Sequence, residues 1–307
     1  SPTLTNISFI ANVAISAGGG LFVFGETSST LTNTVFYNNS AGRNTQAGTE
    51  GGGAGIACLF TCELQINHAT FYGNQGSING QSIWSYQGNV SVDNSIIWNV
   101  SENSDDQLSS DVKVVNSIVL GGWPGDNNSD LDPMFVDTAT GDLRLLFDSP
   151  AIDTGHDHHT TSFDIAGFLR PQDGNGDEIP RVDRGAYEYL SPDYGDAPSS
   201  YHTLLADNGA RHIMSNQLRL GALVDSELDG QPSISANADD AAGLEDDEDG
   251  VTVVESFTIG QSNSIVVTST GSGKLDAWLD LNNDGTWSSP EEQMIKSESV
   301  VQGENSF

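Results

Sequence analysis

Cations are scarce in this sequence. Its 307 residues hold 10 Lys and Arg against 43 Asp and Glu, a formal net charge of −33. Phosphate backbones and anionic headgroups are held by clustered cations, so this balance excludes nucleic acid and anionic membrane surfaces as partners. It suits divalent cations or a high-salt exterior. No run of 18 apolar residues occurs, which excludes a membrane-spanning helix. Cysteine is limited to Cys58 and Cys62, and a zinc site would need further ligands close by in sequence. In an exported chain the pair reads as a local disulfide closing a turn, the alternative being two buried thiols. A leader peptide is missing too, but Ser1-Pro2-Thr3 already reads as the middle of a repeat, so a chain continuing upstream is expected.

What is present is a repeat. Leu4-Thr5-Asn6-Ile7-Ser8-Phe9 recurs as Leu31 to Phe36, Ile66 to Phe71, Val92 to Ile97 and Val114 to Val119, with starts separated by 27, 35, 26 and 22 residues. Asparagine stands third in four of the five copies; His68 replaces it in the other. Three copies carry a further asparagine, at Asn12, Asn39 and Asn74. Helical spacing is absent, and a period in the twenties with one inward-pointing strand after another is the mark of a stacked solenoid. Stacked asparagines can hydrogen-bond along such an axis. Residues 1–122 resemble right-handed parallel β-helix proteins, among them polysaccharide lyases and bacterial surface proteins. That likeness implies a right-handed parallel β-helix.

Residues 123–190 change character. They carry Asp132-Pro133-Met134-Phe135-Val136-Asp137, Ser149-Pro150-Ala151-Ile152-Asp153-Thr154-Gly155 and Asp183-Arg184-Gly185-Ala186-Tyr187-Glu188. These phrases resemble the C-terminal module of β-helix surface proteins of the choice-of-anchor Q type. A solenoid needs a terminal cap over its last apolar edge, and Phe135, Val136, Leu143, Leu145, Ile152 and Ala186 suit that task. Asp173, Asn175 and Asp177, followed by Asp183, repeat an oxygen spacing that suits calcium. His156, His158 and His159 cluster with Asp157 and Asp164, as a transition-metal site or a solvated loop.

The charge also marks a boundary. Residues 1–125 hold 8 acidic and 2 basic residues, whereas residues 126–307 hold 35 and 8. In the acidic part, Asp280, Asn282, Asp284, Gly285 and Glu291 fit the calcium-loop pattern D-x-[DN]-x-[DN]-G-x5-E, with the Thr286 carbonyl available at position 7. Leu275, Ala277, Leu279 and Leu281 alternate with Lys274, Asp276 and Asp280, Trp278 alone breaking the pattern, so a strand enters this loop and an EF-hand is excluded. The alternative is a polar hairpin turn that binds nothing. Together with Asp193-Tyr194-Gly195-Asp196, Asp196 and His212 in particular, the loop resembles the GEVED domain of large bacterial surface proteins, without that family's closing strand. Asp239, Asp240, Asp246 and Asp247 lie among further acids. Like charges at contact repel by roughly 1–4 kcal/mol a pair, so these carboxylates read as further calcium ligands or as a solvated acidic loop.

The sequence therefore predicts an all-β protein: a right-handed parallel β-helix over 1–122, its cap over 123–190, and a calcium-binding β-sandwich over 191–307, the first and last incomplete. The expected function is non-enzymatic, structural or adhesive, at the cell surface, with Ca2+ as the stabilising ion. The expected partner is a second copy, head to tail in a filament, or a surface glycan. The competing reading is a polysaccharide-degrading or polysaccharide-binding β-helix, for which Arg43, Lys113, Asp93, Asp105 and Asp106 form no constellation. Trp84, Tyr86 and Trp98 are candidates for a sugar groove. Sequons at Asn6, Asn38, Asn89, Asn99 and Asn127 permit glycosylation.

Overall fold

A computed structural model of the chain describes residues 2–42, 52–76, 81–99, 107–157, 161–175, 177, 179–213, 218–222, 227, 229–236, 250–254, 257, 261–287 and 290–307. Two compact units result, Ser1–Tyr189 and Leu190–Phe307.

In the first unit each early repeat supplies one strand to each of three parallel sheets. The main sheet runs β1 (Thr3–Ile10), β4 (Ser28–Tyr37), β7 (Glu63–Tyr72), β10 (Asn89–Asp93) and β12 (Lys113–Val115). Beside it β11 (Ile96–Trp98) pairs with β7 and with β13 (Ile118–Val119). The second sheet joins β2 (Val13–Ala14), β5 (Ser40–Ala41) and β8 (Gln75–Gly76); the third joins β3 (Leu21–Phe24), β6 (Ile56–Leu59) and β9 (Ile83–Tyr86). Equivalent repeat positions pair directly: Leu4 with Leu31 and Leu31 with Ile66, Phe9 with Phe36 and Phe36 with Phe71.

The repeated asparagine explains a spacing that strands forbid. Leu31 and Phe36 both point inward, yet an odd separation of five puts side chains on opposite faces of a regular strand. Asn33 sits between them at φ 50°, and Asn6, His68, Asn94 and Asn116 take the same left-handed conformation at φ 56°, 50°, 47° and 49°. One such residue reverses the alternation, and asparagine and histidine are among the residues that tolerate it best. Inside, Phe36 lies between Phe9 and Phe71 with ring centroids 4.6 Å apart on both sides and planes within 7°. A ladder of amides follows the turn: Asn12 Nδ2 donates to Asn39 Oδ1 at 2.9 Å, Asn39 to Asn74 at 2.9 Å, and Asn74 to Asn99 at 3.1 Å.

The expected right-handed parallel β-helix with an end cap and a β-sandwich is overturned by this arrangement. The strands form separate short sheets rather than a continuous solenoid, and the main sheet has five strands on its path. Its members shrink from ten residues in β4 and β7 to three in β12. Among the described residues, the third sheet continues beyond β9 as an isolated bridge between Ile83 and Leu108. The physical reason lies in the unequal repeat intervals, which fall from 35 residues between Leu31 and Ile66 to 22 between Val92 and Val114.

Residues 123–189 do not lie where an end cap would. With the hairpin of β14 (Phe135–Asp137) and β15 (Asp142–Leu145), they pack across the outward face of the main sheet. Leu143 and Ala186 meet Val35, Tyr37 and Tyr72; Leu145, Ala151 and Ile152 meet Ile96, Ile118 and Trp98. Val136 stays exposed. The outward side chains of this sheet, Val35, Ile96 and Ile118, are apolar and need cover; Trp123 packs on the core instead, and its Nε1 donates to Val112 O at 3.0 Å.

The second unit consists of small antiparallel sheets: β16 (Pro192–Tyr194) with β17 (Arg211–Ile213); β18 (Val251–Val253), β19 (Ile265–Ser269) and β22 (Gly303–Ser306); and β20 (Gly273–Trp278) with β21 (Gln293–Val300). Among the described residues its buried apolar cluster is Val267, Leu275, Ile295 and Val300, with Ile265, Ala277 and Phe307 packed against it.

Candidate metal centre

The connection between β20 and β21 brings oxygen ligands together. Leu279 N donates to Glu292 O at 2.8 Å and closes the base of the loop. Within it, the Asp280, Asp284 and Glu292 carboxylates each offer an oxygen within 4.8 Å of the others. Asp284 N donates to Asp280 Oδ1 at 3.2 Å and to Asn282 Oδ1 at 2.8 Å; Thr286 N donates to Asp284 Oδ1 at 2.8 Å. Gly285, at φ 75°, donates to Asp280 Oδ2 at 3.0 Å, and a glycine is required there because the left-handed turn also brings Ser200 within 2.9 Å of where a Cβ would stand.

The third carboxylate is Glu292, buried, and not Glu291, which is exposed. In an EF-hand the twelfth residue returns to the ion on an exiting helix. Here a strand leaves the loop: Trp278 pairs with Gln293, so the residue opposite Leu279 is Glu292, one position later.

The charge state favours a cation. Desolvation raises the Asp280 carboxyl, but the N–H groups of Gly285, Asp284 and Asn283 and the Tyr201 hydroxyl outweigh it and hold it below the usual range. Hydrogen bonds from the Thr286 side chain and backbone hold Asp284 down. Tyr201, whose hydroxyl donates to Asp280 Oδ2 at 2.9 Å, stacks on Trp287 at 4.5 Å. The three converging carboxylates offer hard oxygens, the kind of donor that Ca2+ takes.

Asp173, Asn175 and Asp177 repeat the local geometry. Asp177 N donates to Asp173 Oδ1 at 3.3 Å and Asn175 Oδ1 at 2.9 Å, and Ile179 N to Asp177 Oδ1 at 2.9 Å. Two differences separate this loop from the first. Asp177 already carries a cation, Arg181, at 2.8 Å. Asp183 does not join it: that carboxylate is buried and accepts the N–H groups of Asp153 and Tyr189. Asp239, Asp240, Asp246 and Asp247 lie outside the described residues, as do His158 and His159. His156 N donates to Asn94 Oδ1 at 2.7 Å, and Asp164 accepts Phe168 N and Glu188 N, so both act in the first unit's framework. Cys58 and Cys62 are joined as a disulfide.

Sequence reasoning missed a buried ion-pair cluster. The Arg170 and Glu188 side chains are 0% exposed and meet at 2.9 Å. Arg170 also reaches Gly185 O at 3.2 Å and donates through Nη1 to His68 Nδ1 on β7. Glu188 accepts Asp183 N at 2.9 Å and Gln172 N at 3.1 Å. The only sequence signal was His68 in an asparagine column.

Burial pushes Glu188 up to about 7, with Arg170 opposing, and pushes Asp183 well above the carboxylate range. A carboxyl whose folded pKa exceeds its unfolded value of 4.5 takes up a proton on folding. Its contribution is therefore complete below that value and is lost as pH rises through about 7. The first unit is expected to unfold at higher urea near pH 5 than near pH 8, and Glu188→Gln is expected to flatten that slope. An unchanged slope in the variant would assign the effect elsewhere.

Among the described residues no helix is long and apolar enough to cross a membrane. No protein family, no curated protein and no solved structure matches this chain.

Proposed function

We propose that this is a non-enzymatic extracellular protein with a structural or adhesive role, whose acidic second unit is stabilised by calcium. The observation that carries the reading is the convergence of Asp280, Asp284 and Glu292, with the Asn282 side chain and the Thr286 carbonyl in the same loop. When bound, the ion neutralises three carboxylates that otherwise repel and ties both ends of the β20–β21 connection to one point. Such a tie stabilises the unit by mass action, because the ion binds only the folded form.

The extracellular location is supported by the Cys58–Cys62 disulfide, since such bonds persist in oxidising compartments. The structural role is supported by where the acid–base groups of the first unit lie. Arg170, Glu188, Asp183 and His68 are sealed inside and joined to one another or to backbone, an arrangement that holds elements together rather than meeting a substrate.

Terbium, a calcium surrogate sensitised by nearby aromatics, tests the site. Tyr201 and Trp287 stand beside Asp280, so terbium bound there is expected to luminesce on aromatic excitation and to be displaced by calcium. Asp280→Asn, Asp284→Asn and Glu292→Gln are each expected to weaken binding at least ~10-fold, whereas Glu291→Gln leaves it near wild type. Calcium at ~100 times its Kd is expected to stabilise the second unit by ~2.7 kcal/mol. Absence of saturable binding at millimolar ion, or loss in Glu291→Gln but not Glu292→Gln, would overturn the assignment.

A further inference from the structure

A strip of aromatic rings crosses the outward face of the third parallel sheet. The register aligns Phe22, Ala57 and Trp84 in one row and Phe24, Leu59 and Tyr86 in the next. Phe22, Phe24 and Tyr86 are 50%, 60% and 48% exposed. Phe60 joins them at 44% exposure, its ring edge-on to Phe24 at 5.3 Å and to Tyr86 at 5.5 Å. Phe22 lies 6.2 Å from Phe24 and Trp84 lies 6.4 Å from Tyr86, so five rings run without a break across three repeats.

Phe60 reaches this place through unfavourable backbone. It and Thr61 have φ 57° and 63°, where the first repeat uses Gly25 at φ 77°. An aromatic residue in the left-handed region is uncommon and persists only when its surroundings over-determine it. Here the Cys58–Cys62 bridge closes the turn, and Phe60 N and Thr61 N donate to Tyr86 O and Gln87 O, both at 2.9 Å. A strained, clamped turn that turns an aromatic ring toward water serves the water-facing side, because burial gains nothing from it.

Size and charge choose the occupant. Three strands ~4.8 Å apart and four residues long at ~3.3 Å each give a face on the order of 200 Å2. A stable protein interface needs about 800 Å2 per partner, so a second copy is poorly served and a slender chain fits. With 43 acids against 10 bases the protein repels nucleic acid and acidic polysaccharide. The rim carries exposed Thr61, Gln87 and Asn89, which donate to and accept from hydroxyls, beside the exposed Glu63 that pairs with Asn89 and the Lys113 ammonium that donates to Asn89 Oδ1 at 3.1 Å. Rings for stacking, bordered by hydrogen-bonding groups, match a ligand with apolar C–H faces and a hydroxyl edge. We propose that this strip binds a neutral glycan chain.

The test titrates the full chain, by calorimetry and tryptophan fluorescence, with β-1,4-linked hexasaccharides of glucose, xylose and N-acetylglucosamine. Decaproline and polygalacturonate serve as competing classes. At least one hexasaccharide is expected to bind saturably. Phe24→Ala and Tyr86→Ala, whose exposed side chains leave melting unchanged, are each expected to weaken it by about tenfold. Binding is expected to persist in chelator and in Asp284→Asn, which separates this site from the calcium reading. The proposal is overturned if no hexasaccharide binds at millimolar concentration, if the strip variants bind as wild type, if decaproline takes the strip instead, or if the variants dissolve a self-associated form.

Discussion

Replacing Arg170 by methionine is expected to destabilise the first unit by ~3–5 kcal/mol at alkaline pH, where the change leaves the buried Glu188 carboxylate ionised without its cation. It also removes the contact from residues 123–189 to His68 on β7. Urea unfolding of the full chain should show the loss in the transition of this unit alone, followed by hydrogen exchange at β4 and β7, since a chain with two units need not unfold in one step. Two further results make the expectation specific. The loss should shrink toward acidic pH, where Glu188 neutralises itself by taking up a proton. Arg170→Met combined with Glu188→Met should recover much of the stability, since two apolar side chains leave no orphan charge. A loss below ~0.5 kcal/mol in the single variant, the size of an ordinary surface change, would mean that the ion pair does not join the two elements.

Phe36→Ala should cost a similar amount, ~3–5 kcal/mol, for a different reason. Its ring is fully buried between Phe9 and Phe71, 4.6 Å from each, so truncation opens a cavity bounded by two rings that backbone pairing on both sides keeps from closing in. Phe36→Leu fills most of the space and should lose only ~1 kcal/mol. The measurement is the shift in urea midpoint of the first unit at constant slope. Equal losses for the two variants would show that the site collapses freely and that ring stacking does not organise the repeats.

Several features were legible because they repeat. The inward Leu, Ile, Val and Phe of the last four copies are buried positions, those of the first, Leu4 and Phe9, are half-buried against them, and Asn12, Asn39 and Asn74 form a ladder as their alignment implied. Its fourth rung, Asn99, escaped notice because one residue is missing from the turn after Trp98, which hid the alignment while the register held. The turn chemistry of the acidic loop was also local: Asp280, Asn282 and Asp284 bond to N–H groups two to five residues on. The third carboxylate was not, because whether Glu291 or Glu292 returns to the site depends on how β21 pairs with β20.

The longer-range errors have the same root. Trp98, a candidate for the sugar face beside Trp84 and Tyr86, packs instead under residues 123–189. Phe22, Phe24 and Phe60 became a surface only when three repeats stood side by side, and Phe60 only because its backbone turns left-handed. Asp183 looked like a ligand by spacing, yet it lies in a buried polar network.

The sequence by itself determined which side chains point inward, which repeats lie side by side and where two loops fold on their own carboxylates, because each of those rests on a neighbour a few residues away or on an identical copy of itself. Only the tertiary structure decided that the strands gather into short separate sheets, that residues 123–189 cover an outward face, and which carboxylates converge. Those outcomes depend on pairs such as His68 and Arg170, 102 residues apart and unrelated by any repeat, and no local pattern encodes a contact whose two halves share neither spacing nor composition.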